Sequence, residues 1–327
     1  MIGTQRDIDI LVSEVGPRDG LQSIGNIMPL ADKKAWIDAE VSAGAREIEV
    51  GSFVPAKLLP QLADTAELVA HALTLPGLTV AVLVPNLQGA RAAVRAGAHK
   101  ITIPFSASET HSLKNVRRTH LQMLEEVRAV ATMLREQPVA GRPRFEGGMS
   151  TAFGCTYEGA VPADKVVRLA EALMTAGCDE VGLSDSVGYA NPQQVKQLVS
   201  RVRSTIGAQA FAGLHLHNTR GLGLANVVAG LEVGVTTFDS SLAGLGGCPF
   251  APGATGNIVT EDLVFMLESM GLRTGIDLYK LLGVRKILRA ALPDDELYGY
   301  VPAAGLPLDY ISASSADAAV PHRPAVA

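Results

Sequence analysis

The sequence has few cysteines, no surplus of basic charge and no long apolar run. Three cysteines in 327 residues are too few for a disulfide framework, and an odd number cannot all pair. This count favours reduced thiols. Lysine and arginine number 28 against 33 acidic residues, so no basic excess indicates nucleic-acid binding. No apolar run approaches the roughly 20 residues that a membrane span needs, and the start of the chain lacks a signal-peptide pattern. These absences predict a cytoplasmic protein with neither a membrane nor a nucleic-acid partner.

The composition is otherwise that of a soluble globular protein, with 47% hydrophobic and 19% charged residues. A chain of this length buries about three quarters of its unfolded surface, so its fold needs no covalent cross-link. We expect one catalytic domain over 1–310. The remaining segment, 311–327, is rich in Ala, Ser and Pro and is expected to form a flexible tail.

Short β-rich runs alternate with longer amphipathic stretches along the chain. The predicted strands span 8–15, 47–51, 79–84, 100–104, 144–149, 180–184, 213–217 and 236–240. The predicted helices span 30–43, 61–73, 87–96, 115–135, 163–176, 192–206, 222–233 and 260–270, and a last helical region covers 277–292. A strand followed by a helix, repeated eight times, predicts a (β/α)8 TIM barrel with a short C-terminal helical extension. A doubly wound open sheet is the rival fold, but no G-x-G-x-x-G follows the first strand.

A pair of histidines at the end of the seventh strand predicts a metal site. His215 and His217 are two residues apart, so both side chains point to one face of the strand. Active sites of TIM barrels lie at the carboxyl ends of the strands, and closure places the eighth strand beside the first. Asp19 and Asn257 therefore come near the histidines. Two nitrogens, a carboxylate and an amide oxygen suit Mg²⁺ or Mn²⁺, and imidazoles also admit Zn²⁺ or Fe²⁺. The alternative is that both histidines fill the barrel core with satisfied hydrogen bonds.

Five further residues are candidates for the chemistry. Cys248 lies in a glycine-dense loop, where a thiol can donate or accept a proton, unless it is buried and inert. Arg18 is next to Asp19 and can stabilise an oxyanion, although a structural salt bridge is the alternative. Glu49 and Asp185 can orient the metal ligands through contacts on the side away from the cation. Glu261 lies in the first turn of a helix, where the dipole already favours a carboxylate.

Several segments resemble those of 3-hydroxy-3-methylglutaryl-CoA (HMG-CoA) lyases. The matching segments are 14–22 (EVGPRDGLQ), 52–54, 85–87, 154–159, 244–250 (GLGGCPF) and 256–263. The resemblance spans about residues 8–290. The cysteine loop is its most specific part, because the related Claisen-condensing synthases, such as isopropylmalate synthase, share only the arginine-aspartate opening and the histidine pair.

The resemblance implies a TIM barrel that binds a divalent cation, usually Mg²⁺ or Mn²⁺, and acts on an acyl-CoA. It implies four metal ligands: Asp19, His215, His217 and Asn257. It ties four more positions to catalysis or to the integrity of the site: Arg18, Cys248, Glu49 and Glu261. Family members are commonly dimers or higher oligomers, so we expect a homo-oligomer.

The sequence departs from the lyases after the seventh strand. The lyases read His-x-His-Asp-Thr-Tyr-Gly there, whereas this chain has Asn218 and Arg220 at the fourth and sixth positions. An extra cation at Arg220 could contact a substrate carboxylate or a CoA phosphate. The chain shows no clear CoA-phosphate motif, and Asn86 is the other candidate for that contact.

These features predict metal-dependent retro-Claisen cleavage of (S)-3-hydroxy-3-methylglutaryl-CoA to acetyl-CoA and acetoacetate. In this hypothesis His215 or a metal-linked partner acts as base, Arg18 stabilises the enolate and Cys248 returns a proton to carbon. Three alternatives remain: a lyase for another 3-hydroxyacyl-CoA such as citramalyl-CoA, a condensing synthase that acts on a 2-oxo acid, and a non-catalytic acyl-CoA or metal sensor.

Overall fold

The computed structural model describes residues 7–246 and 256–315 and contains a closed barrel. The strands are β1 (Leu11–Glu14), β2 (Glu47–Ser52), β3 (Thr79–Leu83), β4 (Lys100–Ser106), β5 (Arg144–Ser150), β6 (Glu180–Asp185), β7 (Phe211–Leu216) and β8 (Thr237–Ser240). Neighbouring strands pair in parallel, and β8 pairs with β1. This closure confirms the predicted (β/α)8 barrel and shows that the open sheet is wrong.

Helices surround the barrel and extend beyond it. They are α1 (Leu30–Ala43), α2 (Thr65–Ala72), α3 (Leu87–Ala96), α4 (Glu109–Asn115), α5 (His120–Arg135), α6 (Ala163–Ala176), α7 (Pro192–Ile206), α8 (Gly223–Glu232), α9 (Thr260–Ser269), α10 (Leu278–Ala291) and α11 (Tyr300–Ala304). A π-helical turn covers Gly16–Gly20, and 3₁₀ turns cover Pro60–Leu62, Ala208–Ala210 and Leu242–Gly244. The helices α10 and α11 confirm the C-terminal extension.

Capping residues determine where several helices begin and end. The Asn191 side chain accepts a hydrogen bond from the Gln194 amide at 3.1 Å, and Pro192 occupies the first turn of α7, where a missing N–H costs nothing. Gly44 and Gly177 end α1 and α6 with φ of 110° and 112°, a left-handed conformation that favours glycine.

Two predicted helices are broken in the structure. Of the stretch predicted over 115–135, only Asn115 belongs to α4 and the helix α5 begins at His120, because Thr119 and Gln122 form a reciprocal capping box that gives α5 its own start. The stretch predicted over 61–73 is a 3₁₀ turn at Pro60–Leu62 followed by α2.

The barrel interior is polar near its amino-terminal end. The Lys100 ammonium lies 2.8 Å from Glu146, 3.3 Å from Glu47 and 3.5 Å from Glu180. A Cβ at Gly182 would lie 2.4 Å from a Glu146 carboxylate oxygen, so a glycine leaves space for this charge. TIM barrels usually fill this space with branched aliphatic side chains. Here the interior stays open enough to be continuous with the cavity at the other end of the barrel.

The structure bears on two further expectations. Among the described residues, no helix combines the length and apolar character needed to cross a membrane. The first part of the predicted tail, 311–315, contacts the barrel through Ser312 and Ser314, which donate hydrogen bonds of 2.6 Å to Glu268. The division of the chain at residue 310 stays a prediction.

Candidate active site

A cavity of about 760 Å³ runs along the barrel axis to the carboxyl ends of the strands. Its wall includes five residues predicted to bind the metal or to take part in the chemistry: Arg18, Asp19, Glu49, His215 and His217. The first two lie on the π-helical turn after β1, and the histidines lie at the end of β7. Ring closure therefore brings these side chains together, as the sequence predicts.

Three candidate ligand atoms converge in this cavity. One atom each from Asp19, His215 and His217 lies within 4.8 Å of the others. The two Nε2 atoms are 3.1 Å apart, and the Asp19 carboxylate lies 3.9 Å from the His215 Nε2. Two imidazole nitrogens that face each other beside a carboxylate form a possible metal site, because all three can donate lone pairs to one cation.

Asn257 completes the predicted set. Its amide nitrogen donates hydrogen bonds to Asp19 at 2.7 Å and to the Leu245 carbonyl at 3.0 Å. Its amide oxygen is buried and has no hydrogen-bond partner among the described residues. A buried acceptor without a partner is costly, and a cation would satisfy it. The nitrogen and oxygen donors present here fit a divalent cation.

The electrostatics keep two ligands in the forms that bind metal. Burial opposes ionisation of Asp19, but the charges of Arg18 and His215 lower the pKa of Asp19 to about 2. Burial, together with His215, lowers the pKa of His217 to about 3. At neutral pH Asp19 is therefore a carboxylate and His217 a neutral imidazole, as metal binding requires.

Arg18 bridges two carboxylates at the cavity wall. Its Nη1 donates to Asp19 and its Nε donates to Glu49, both at 2.5 Å. Burial raises the pKa of Glu49, although Arg18 opposes this shift. The Gln22 amide donates to the same Asp19 oxygen at 2.7 Å. These contacts fix both the direction of the Asp19 carboxylate and the plane of the guanidinium.

Gly246 lies where the segment after β8 meets the turn after β1. Its φ is 108°, a left-handed value, and a Cβ there would lie 2.5 Å from the Asn257 amide nitrogen and 3.1 Å from Asp19. A side chain at this position would push Asp19 and Asn257 apart.

Two predicted residues, Glu261 and Asp185, do not line the cavity. Glu261 accepts hydrogen bonds from the Ala243 amide at 3.0 Å and from Arg285 at 2.5 Å. Asp185 accepts hydrogen bonds from backbone amides of the loop that follows β6, at 2.8 and 3.0 Å. Burial raises the pKa of both carboxyls, against these hydrogen bonds. Both positions therefore stabilise loops, and a direct catalytic role for them stays a prediction.

The two residues predicted to contact CoA differ in their positions. Asn86 lines the cavity, and its side chain caps α3 by accepting a hydrogen bond from the Gly89 amide at 3.0 Å. Arg220 does not line the cavity: it donates to the Val187 carbonyl at 2.9 Å, and its guanidinium lies 4.6 Å from the centre of the Tyr189 ring. Cys248 lies outside the described residues, so its expected place in the site stays a prediction.

Sequence reasoning missed two groups of cavity residues. Asp239 on β8 lines the cavity beside His215. Lys114 in the last turn of α4, and Arg117 and Arg118 between α4 and α5, also lie along it. The run KNVRR at 114–118 is a visible basic cluster that could have suggested the second group. Asp239 has no comparable signal, because its position depends on strand register.

The fold and the site define a TIM-barrel enzyme with a candidate divalent-cation site. The HMGL-like family model matches residues 9–288, so the chain belongs to the HMGL-like family. It is 40% identical over 277 residues to hydroxymethylglutaryl-CoA lyase YngG of Bacillus subtilis, which covers 85% of this chain and 91% of that protein. It is 41% identical over 273 residues to the cytoplasmic 3-hydroxy-3-methylglutaryl-CoA lyase of Rattus norvegicus, over 84% of this chain and 78% of that protein.

A solved structure agrees with this assignment. An HMG-CoA lyase of Acinetobacter baumannii, in complex with coenzyme A and 3-methylmalate, matches with a TM-score of 0.86 and 40% identity over 94% of this chain and 98% of that one. The similar lyases include both mitochondrial and cytoplasmic proteins, so the cytoplasmic location of this chain stays a prediction.

Proposed function

We propose that this chain cleaves (S)-3-hydroxy-3-methylglutaryl-CoA to acetyl-CoA and acetoacetate. The observation that carries the proposal is the convergence of Asp19, His215 and His217 within 4.8 Å in one cavity. It is supported by about 40% identity to HMG-CoA lyases over most of the chain.

A divalent cation, Mg²⁺ or Mn²⁺, held by Asp19, His215, His217 and Asn257 would supply Lewis acidity to the hydroxyl and carboxylate oxygens of the substrate. The geometry favours His215 as a ligand rather than as the predicted base. Its Nε2 faces His217 at 3.1 Å and its Nδ1 faces Asp239 at 3.1 Å. If its Nε2 binds the cation and its Nδ1 donates to Asp239, this imidazole has no lone pair left to accept the hydroxyl proton.

The protein side chains stabilise the charge that moves during cleavage. When the 3-hydroxyl passes its proton to a base in the cavity, the ketone forms, the C2–C3 bond breaks and its electron pair passes to the enolate of acetyl-CoA. Arg18 would stabilise this oxygen; in support, its hydrogen bonds to described residues use Nε and Nη1 and leave Nη2 for a ligand in the cavity. Cys248 would then protonate the enolate carbon.

The cations Lys114 and Arg117 are the proposed contacts for the CoA phosphates. Both are exposed at the cavity rim, whereas Arg118 is paired with Glu126. Lys114 also lies over the Tyr157 ring at 4.7 Å, which limits its motion. Charge-assisted contacts of this kind position a phosphate without enclosing it.

Arg220 and Asn218, which suggested a substrate with another acyl group, contact other parts of the protein instead. Arg220 packs on Tyr189 outside the cavity. The Asn218 side chain accepts a hydrogen bond from the Gly223 amide at 3.0 Å and so positions the start of α8. Neither departure from the lyase pattern therefore changes a cavity wall.

The test is a substrate panel read by product mass, with Mg²⁺, with Mn²⁺ and after chelation. We expect acetyl-CoA and acetoacetate from HMG-CoA, complete loss of turnover on chelation and recovery when the cation is restored. Higher kcat/KM for citramalyl-CoA would contradict the assigned substrate. CoA release that depends on a 2-oxo acid would indicate a synthase, and binding without turnover a sensor. Full-rate cleavage by the metal-free enzyme would overturn the mechanism.

The homo-oligomeric state also stays a prediction. Light scattering coupled to size-exclusion chromatography measures it directly, and a mass equal to that of one chain would contradict it.

A further inference from the structure

Strand register places Asp239 in the same layer of the barrel as His215. In the pairing of β7 with β8, His215 lies opposite Asp239, and Leu214 lies opposite Phe238. Leu214 and Phe238 are buried away from the cavity, whereas His215 and Asp239 line it. Because side chains alternate along a strand, this register directs both polar side chains into the barrel. The contact is thus a consequence of the sheet itself and not of a loop.

The carboxylate of Asp239 contacts the ring nitrogen of His215 that points away from the candidate ligands. Nδ1 of His215 lies 3.1 Å from the nearer Asp239 oxygen, and Nε2 lies 3.1 Å from the Nε2 of His217. A carboxylate accepts hydrogen bonds but cannot donate them when ionised. A neutral His215 must therefore carry its proton on Nδ1, which leaves the Nε2 lone pair directed at Asp19 and His217.

The second histidine has no such support. Nδ1 of His217 is buried without a hydrogen-bond partner among the described residues. His217 is held instead by its backbone, which forms a bridge with Asn257. Of the two candidate ligands, His215 is therefore the one whose tautomer is set by a side chain.

We propose that Asp239 is a positioning residue that holds His215 in the Nδ1–H tautomer and thereby prepares Nε2 for the divalent cation. This inference rests on the proposed function only for the expectation that a cation binds. Carboxylates in this position behind a metal-binding histidine commonly change metal affinity by 10- to 100-fold when replaced. A purely structural ion pair, in contrast, would change the stability of the fold and leave metal affinity alone.

The first test measures Mn²⁺ binding to the metal-free protein by calorimetry, without any acyl-CoA. We expect Asp239→Asn, which keeps the size of the side chain, to weaken Mn²⁺ binding about 10-fold or more. The matched control is Asp294→Asn, the same change at an exposed position away from the cavity. The control should bind Mn²⁺ like the wild type, and the melting temperature of metal-free Asp239→Asn should stay close to that of the wild type. Wild-type Mn²⁺ affinity in Asp239→Asn would overturn the proposal.

The second test observes the tautomer directly and needs no variant to fold. Nitrogen NMR of the metal-free wild type, labelled with ¹⁵N-histidine and recorded at alkaline pH, distinguishes Nδ1–H from Nε2–H. We expect His215 to be Nδ1–H in the wild type. A dominant Nε2–H form would overturn the proposal even if the variant binds metal poorly. Because neither measurement involves substrate, failure of the lyase assay would overturn the proposed function and leave this inference standing.

Discussion

At the scale of single residues, the site is organised around Arg18. Its guanidinium holds Asp19 and Glu49 at 2.5 Å each, so one side chain fixes a candidate metal ligand and a neighbouring carboxylate. Desolvation disfavours the Arg18 charge, but Glu49 and Asp19 raise its pKa above the usual value. The guanidinium is therefore permanently charged, which suits the proposed stabilisation of an enolate.

Replacing Arg18 should separate binding from catalysis. We expect Arg18→Gln to lower kcat for HMG-CoA cleavage by about 100- to 1,000-fold, because it removes a donor to charge that develops only in the transition state. KM should change little. Steady-state kinetics at saturating Mg²⁺ measure both constants. A raised KM with an unchanged kcat would instead assign Arg18 to uniform substrate binding.

The sequence predicted the candidate metal ligands of this site but not the residues that contact them from other strands and loops. The histidine pair, Asp19 and Asn257 were predictable because a two-residue spacing and barrel closure determine which side chains meet. Asp239 was not predictable, since its contact depends on the register of β8 against β7, which a sequence does not show. The orientation of Arg220 was also missed, because its stacking partner, Tyr189, comes from a loop after another strand.

At the scale of elements, apolar periodicity predicted the strand order but not the helix breaks. Apolar runs located all eight strands within a few residues. The break before α5 has its own sequence signature, the capping box of Thr119 and Gln122, which helical periodicity alone does not show. That break matters for the proposed function, because the end of α4 and the connection to α5 place Lys114 and Arg117 at the cavity rim.

The cations at the end of α4 and in its connection to α5 should determine the affinity for CoA esters. We expect the double variant Lys114→Ala, Arg117→Ala to raise KM for HMG-CoA about 10-fold at low salt, with a smaller effect at high salt because ions screen exposed charges. The kcat should stay near that of the wild type. The corresponding acyl-pantetheine, which lacks phosphate groups, should not distinguish the variant from the wild type.

A matched control removes two exposed cations elsewhere. Lys286→Ala, Arg289→Ala on α10 changes the net charge equally but leaves the cavity rim intact. An equal rise in KM for both double variants would mean that net charge steers the substrate and that the connection has no specific role.

At the scale of the whole molecule, closure of the barrel buries acidic groups where the first and last strands meet. Glu14 at the end of β1 is 2% exposed and accepts hydrogen bonds from the Gly16 and Leu242 amides, at 2.8 and 2.9 Å, and from the Thr260 hydroxyl at 2.6 Å. One carboxyl thus joins the turn that carries Asp19 to the loop after β8. Burial raises the pKa of Glu14 to about 8, against these hydrogen bonds.

This shift makes stability depend on pH in a definite direction. The unfolded Glu14 has an ordinary pKa of 4.5, so between about pH 4.5 and pH 8 the folded chain keeps a proton that the unfolded chain releases. The free energy of unfolding must therefore fall as pH rises through this range, by up to about 1.4 kcal/mol per pH unit from this group. Glu14→Gln removes the ionisation and keeps the acceptor oxygen for both amides.

We expect the stability of Glu14→Gln relative to the wild type to increase between pH 5.5 and pH 8, by about 1–3 kcal/mol. Urea unfolding of the metal-free proteins at several pH values measures it. His217, whose lowered pKa of about 3 makes the fold gain stability up to about pH 6.5, acts equally in both proteins and cancels in the difference. The Asp19 shift to about 2 acts only at lower pH. A constant difference across the range would show that Glu14 is ionised in the folded barrel, and that its hydrogen bonds outweigh its burial.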